Sequence, residues 1–179
     1  MADLVAPTET VRRSFLEAMA EFRAEGRGGA DDDTMIGSEH RRYGDTWHTV
    51  EGFQGYLRAL WAEGLPDTPR PEGWVPQTTL WWLEGEEYLA RIGIRHSLTP
   101  FLRDVGGHIG YDVRPTARRL GHATAMLAAA LPVAYGLGIE SVLITCDADN
   151  HASRTVIERN GGVLEDQRGE KLRFWVVTH

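Results

Sequence analysis

The sequence predicts a mixed α/β domain, and three observations carry that prediction. Apolar residues recur at helical spacing near the N-terminus, strand-patterned runs follow from residue 77, and an alanine- and leucine-rich helical run then alternates with further strands. At 179 residues the chain is long enough for one substantial core and short for two, so a single domain over 1–179 is expected. Hydrophobic residues at 42% and charged residues at 25% are ordinary for a soluble globular protein.

Val11, Phe15, Ala18, Met19 and Phe22 place an amphipathic helix over residues 8–25, ended by the Gly26–Gly29 stretch. A polar loop is expected from Ala30 to His48, then a second helix over Val50–Ala62 with Phe53, Leu57, Leu60 and Trp61 on one side. Gly64–Pro76 is a connector. Gln77–Leu83 and Tyr88–Ile94 flank Glu84-Gly85-Glu86-Glu87 as a hairpin. Val105-Gly106-Gly107 leads into a short strand at His108–Val113. The long helical run is Arg119–Leu137, followed by the strand Ser141–Cys146, a helix over Asn150–Arg159 and strands at Val163–Glu165 and Leu172–Val177.

The formal charge of −7 argues against a nucleic-acid partner, which needs a clustered basic face, and fits an amine-bearing substrate better. Cys146 is the single cysteine, so no intramolecular disulfide framework exists and a reducing compartment suits the chain. The N-terminus lacks the basic start and apolar stretch of a signal peptide, and no apolar run approaches the roughly 20 residues that span a bilayer. A cytoplasmic protein without a membrane partner is expected.

The informative segment is Gly110-Tyr111-Asp112-Val113-Arg114-Pro115 followed by Thr116 to Thr124. A strand ends at Val113, because Pro115 has no N–H for a ladder, and a helix begins within a few residues. The first N–H groups of a helix lack internal partners and carry partial positive charge, which favours an anion there. Gly121 and Ala123 are small enough to let a diphosphate reach those donors. Arg118 and Arg119 add charge, and Thr124 adds a hydroxyl. The lysine of a nucleotide P-loop and the three spaced glycines of a dinucleotide fingerprint are both missing. Solvated surface arginines are the alternative reading of the same turn.

Here the sequence resembles the GNAT superfamily of acyl-CoA N-acyltransferases. Arg118-x-x-Gly121-x-Ala123 matches the family's Q/R-x-x-G-x-G/A turn, and Val113-Arg114-Pro115 the hydrophobic-x-Pro before it. Asn150-His151-Ala152-Ser153 and Glu158-Arg159-Asn160-Gly161-Gly162 look like the family's N-x-x-A and Y-E-K-x-G-F element. The likeness covers about Gly107 to Glu165; residues 1–75 are the variable, substrate-side part and 76–179 the core.

The resemblance implies a mixed, mostly antiparallel sheet flanked by helices and splayed between its fourth and fifth strands, here His108–Val113 and Ser141–Cys146. It implies acetyl-CoA as co-substrate, with no metal. The backbone of Tyr111, Asp112 and Val113 would pair with the pantetheine arm. Arg118, Arg119, Gly121, His122, Ala123 and Thr124 would hold the pyrophosphate, with Asn150 and Ser153 on the pantetheine side. Asn150 also suits a helix N-cap. A homodimer is common among similar proteins.

The activity implied is transfer of an acetyl group to a primary amine of a small molecule or peptide, by direct attack in a ternary complex. Such chemistry needs a neutral amine, an oxyanion donor and a proton for the leaving thiolate. The family's usual tyrosine acid aligns with Ile157, which cannot donate a proton. That departure motivates an alternative, a non-catalytic acyl-CoA-binding sensor. By strand alternation His108, Gly110 and Asp112 share one face and Ile109, Tyr111 and Val113 the other. His108 is a candidate base, or a hydrogen-bonded strand histidine. Tyr111 is a candidate acid, or a core residue. Cys146 reads as a small core residue. Tyr43, Trp47, Trp81 and Trp82, with Asp31 to Asp33 and Glu39, are candidates for an acceptor pocket, and His40, Arg41 and Arg42 would instead favour a carboxylate.

Overall fold

A computed structural model describes residues 1–179. Its strands are β1 (Asp3–Val5), β2 (Gln77–Glu84), β3 (Glu87–Arg95), β4 (Ile109–Val113), β5 (Ser141–Asp147), β6 (Val163–Arg168) and β7 (Lys171–Val177). Its helices are α1 (Arg12–Ala24), α2 (Met35–Tyr43), α3 (Val50–Glu63), α4 (His122–Gly136) and α5 (His151–Arg159). The strands form two antiparallel sheets, ordered β1-β2-β3-β4 and β5-β7-β6. α4 carries the chain from the last strand of the first sheet to the first strand of the second. No helix is long and apolar enough to cross a membrane.

Strand alternation divides the core in two. Ala90, Ile92 and Ile94 of β3 and Trp82 of β2 pack with Met126, Leu127, Ala130 and Ala134 of α4 and with Ile157 of α5. Trp81, Leu83 and Tyr88 face the other way and meet α1 and α3. Phe15 centres this second core, with its ring 5.0 Å from Trp47 and 5.1 Å from Trp81. Trp81 and Trp82 therefore lie on opposite faces, as alternation requires.

Three expectations are corrected. The interval Ala30–His48 is not all loop, because Met35–Tyr43 is helical and capped by Thr34, whose hydroxyl accepts from the Gly37 N–H at 3.2 Å. The long helix begins at His122 instead of Arg119, since Arg119 (φ 63°) and Gly121 (φ 84°) are both left-handed. A further strand, Asp3–Val5, pairs with Trp81–Leu83, which makes Ile109–Val113 the fourth strand and Ser141–Asp147 the fifth.

Candidate active site

β4 and β5 touch at one point and then part. The His108 N–H donates to the Leu143 carbonyl at 2.7 Å, and the Leu143 N–H donates to His108 Nδ1 at 2.9 Å. A π-helical turn over Leu102–Gly106 delivers the chain to this clamp, and Gly107 (φ 63°) makes the approach possible. A Cβ on Gly107 would lie 2.5 Å from the Leu143 carbonyl oxygen. Beyond His108 no ladder joins β4 to β5. Arg95 N–H donates to the His108 carbonyl and Arg114 N–H to the Leu89 carbonyl. By antiparallel alternation, Ile109, Tyr111 and Val113 therefore point their main-chain groups at the gap, while those of Asp112 pair with β3. Of the three residues expected to offer backbone to a cofactor arm, Tyr111 and Val113 turn main-chain groups away from β3, and those of Asp112 are engaged by it.

His108 is buried, and burial first, then the charges of Arg103 and Arg95, pushes its pKa down to about 4. With Nδ1 accepting from Leu143, the neutral ring carries its proton on Nε2, so its lone pair is already used. The ring works as a strand clamp. Between pH 6.5 and about 4 the unfolded chain takes up a proton at this ring that the folded chain does not. This contribution to stability is intact above pH 6.5 and falls as the pH drops through that window. Urea unfolding at several pH values should show His108→Asn losing less stability on acidification than the wild type. Parallel losses in the two proteins would contradict the clamp.

The turn after β4 is held open from outside by α1. Arg114 is buried, donating through Nε to Glu21 at 2.8 Å and through Nη1 to Ser14 at 3.1 Å. The Thr116 hydroxyl and N–H also donate to Glu21. Arg118 forms a bidentate pair with Glu25 at 2.7 and 2.8 Å, and its Nε donates to the Val113 carbonyl. Glu17 and Glu21 on α1 and Glu25 at its C-cap recur every four residues, and that row is the sequence signal for this brace.

Held this way, the turn presents a run of donors. None of the N–H groups of Arg119, Leu120, Gly121, His122, Ala123 and Thr124 bonds an acceptor within the chain. Arg119 is the one non-glycine residue with positive φ, a conformation costing about 1–3 kcal/mol. Arg119 and Gly121 are left-handed, and successive main-chain N–H groups in turns that alternate hand are the arrangement that forms anion sites. The start of α4 adds its positive dipole end. His122 Nδ1 accepts from Trp82 Nε1 at 3.2 Å, which fixes the first turn on the sheet.

Across the gap, Asn150 Oδ1 accepts from the Ser153 N–H at 3.1 Å and caps α5. The Tyr111 hydroxyl lies 2.7 Å from Ser153 Oγ, and burial pushes the phenol up to about 12. Cys146 is buried nearby, and burial raises its thiol pKa. Ile157 is fully buried in the core.

The expected acceptor aromatics go elsewhere. Trp47 and Trp81 are core, and Glu39 pairs with the buried Arg91 and accepts from the Tyr56 hydroxyl. Asp32 is bonded by Gly28, Thr34 and Arg27. His40 is buried, Arg41 bonds the Gly29 carbonyl and Arg42 pairs with Glu63. The acidic residue that does stand beside the gap is Asp112, 3.0 Å from Arg27 Nη2, and burial raises its pKa against the pull of that arginine.

The profile of the acetyltransferase (GNAT) domain matches residues 27–163. A sequence search of curated proteins gave no match. Among solved structures, Mycobacterium smegmatis RimJ in complex with CoA-disulfide superposes with a TM-score of 0.66 at 16% identity, over 98% of this chain and 81% of that one. The Salmonella typhimurium acetyltransferase that modifies the N-terminal serine of ribosomal protein L7/L12 gives 0.59 at 15% identity, over 98% and 94%. The microcin C7 self-immunity acetyltransferase MccE, in complex with acetyl-CoA and AMP, gives 0.63 at 10% identity, over 98% and 92%. With more than half of its length matched by the family profile, and a sheet splayed where that family binds its donor, the chain belongs to the GNAT acetyltransferases and takes its acyl group from acetyl-CoA.

Proposed function

We propose that this enzyme acetylates a primary amine of a small molecule or peptide, with the pyrophosphate of acetyl-CoA on the N–H groups of Arg119 to Thr124. The unpaired run of six donors is the observation that carries the reading. A diphosphate supplies acceptors for donors that the fold leaves without partners. Gly121 and Ala123 keep that surface free of bulk, and His122, fixed by Trp82, holds the helix start in place. Arg118, held by Glu25, serves the site through the shape of the turn and through its charge at the rim.

Acetyl-CoA supplies an activated thioester carbonyl. The main chain of Tyr111 and the N–H of Val113 offer its pantetheine arm a strand edge in the gap, while Arg118 Nε occupies the Val113 carbonyl. Asn150 orders the far side by capping α5, and Ser153 shares its hydroxyl with Tyr111. The amine nitrogen attacks the carbonyl, the N–C bond forms as the C–S bond breaks, the amine gives up one proton and the sulfur takes one.

We assign the donor for this chemistry to Tyr111, whose hydroxyl lies against Ser153 Oγ. A phenol held at about 12 stays protonated at every physiological pH and offers its O–H to developing charge on sulfur. Thiols titrate near 8.5, so the phenol stabilises the thiolate by hydrogen bonding more than by full proton transfer. Tyr111→Phe should lower kcat by roughly ten- to a hundredfold while acetyl-CoA affinity stays within about twofold. Thiol release with an amine acceptor, read beside calorimetric binding of acetyl-CoA, separates the two effects. An unchanged kcat would remove Tyr111 from the mechanism.

A further inference from the structure

Cross-strand register places a row with few side chains on the face of the first sheet that turns away from α4. Thr79, Gly93 and Gly110 lie opposite one another on β2, β3 and β4. The row on one side is Trp81, Arg91 and Asp112, and on the other Gln77, Arg95 and His108. Two paired glycines between two rows of large side chains make a trough. It ends at Gly110, two residues past the His108 clamp, where β4 begins to part from β5.

The thioether end of Met35, from the first turn of α2, fills this trough. A Cβ on Gly93 would lie 2.9 Å from Met35 Cε and 3.0 Å from its Sδ, and one on Gly110 would also lie 2.9 Å from Cε. Met35 is half-buried, so the trough sits under a surface side chain. Methionine is unbranched with three rotatable side-chain bonds, and it can swing away at small cost. The space it leaves has the cross-section of a single unbranched chain.

The polar groups along the trough are mostly occupied. Arg91 is paired with Glu39, and Arg95 Nη1 donates to the carbonyls of Gly106 and Gly107. Gln77 Nε2 donates to Thr79 Oγ1. Asp112 bonds Arg27 through one carboxylate oxygen, and no donor within the chain bonds the other. An ammonium group at the β4 end of the trough would meet that oxygen.

We propose that the trough over Gly93 and Gly110 is the acceptor channel, that Met35 sets its width, and that the acceptor is a primary amine on an unbranched methylene stem received by Asp112. This rests on amine acetylation as proposed above. The channel brings the nitrogen to the β4 edge, where Tyr111 lines the opposite face of the same strand. Branching at the carbon bearing the nitrogen would collide with the glycine floor or with Met35.

The test measures acetyl transfer from acetyl-CoA to n-butylamine and to sec-butylamine, with acetyl-CoA affinity determined in parallel. The wild type should prefer the unbranched amine by at least about tenfold in kcat/KM, in line with what one misplaced methyl group does to a close-fitting pocket. Met35→Ala should erode that preference by about fivefold or more, and Gly110→Ala should lower kcat/KM for n-butylamine by about tenfold. Gly110→Ala meets only the flexible end of Met35, and normal acetyl-CoA binding reports an intact fold. Intact acetyl-CoA binding with a branched-to-unbranched ratio indifferent to Met35→Ala, or with no transfer to either amine, overturns the channel. Failure to bind acetyl-CoA overturns the reading beneath it instead.

Discussion

Gly121→Glu should cost at least about a hundredfold in acetyl-CoA affinity, the largest functional loss expected of any single substitution in this protein. Two effects combine. The new carboxylate enters a concavity lined by N–H groups of residues 119–124 and answers the donors that a diphosphate would otherwise use. It also sets a like charge against the ligand, where each close phosphate contact normally contributes a charge-assisted hydrogen bond of about 1.5–3 kcal/mol. The fold should survive. A Cβ at this exposed position meets nothing within 4 Å, and the left-handed φ of 84° costs a side chain only about 1–2 kcal/mol. Gly121→Ala separates the terms, since it keeps the strain without the charge and should lose much less affinity. Arg118→Glu weakens binding by another route, placing a carboxylate against Glu25 and loosening the brace from α1. Wild-type affinity in Gly121→Glu would mean that the pyrophosphate lies elsewhere.

Glu39→Ala should be the most destabilising of the single changes, at about 3–5 kcal/mol, because it strands a guanidinium in the core. Arg91 is 1% exposed, and Glu39 is its charge partner. Burial works against the charge on Arg91, and Glu39 outweighs it and keeps the group ionised. Asp112, the cross-strand neighbour of Arg91, is already paired with Arg27, and Thr79 Oγ1 lies 3.4 Å from Nη2. Burial, reinforced by Glu39, raises the Tyr56 hydroxyl well above its usual pKa, so Tyr56 stays neutral and cannot replace the lost charge. For a chain of this size the loss corresponds to a fall in Tm of roughly 6–20 °C. Replacing both partners, Glu39→Leu with Arg91→Met, should recover most of it, because an apolar pair has no charge to strand. Thermal unfolding checks both statements. A single variant that melts within about 2 °C of the wild type would show that Arg91 finds another partner.

The parts of the fold that were legible in the sequence share one property: their signal is local. The hairpin of β2 and β3 shows in its turn residues, and α1 in its apolar spacing. The turn before α4 shows in small residues set between a strand and a helix. α2 was missed because its buried positions include Glu39 and His40. A helix that buries charge has no apolar stripe to read. β1 has three residues, too few for a period. The helix after β4 starts three residues later than its composition suggests, because a left-handed arginine at 119 has no signature in composition.

The candidate site divides along the same line. The turn from Arg118 to Thr124 and the cap at Asn150 are sequence-adjacent groups, and they stand at the start of α4 and of α5. The side chains that complete the site are distant in sequence. Glu21 and Glu25 brace a turn almost a hundred residues away, and Leu143 engages both ends of the His108 clamp. Met35 covers two glycines paired only by strand register. Alternation gave the correct faces for His108 and Asp112, yet it could not show that the histidine lone pair is already used.

The most direct measurement follows the amide resonances of Arg119 to Thr124 by ¹⁵N–¹H NMR while CoA, and separately pantetheine, is added. The account predicts large shifts across this run with CoA and small ones with pantetheine, which lacks the diphosphate. Comparable shifts with both ligands, or none with CoA, would contradict it.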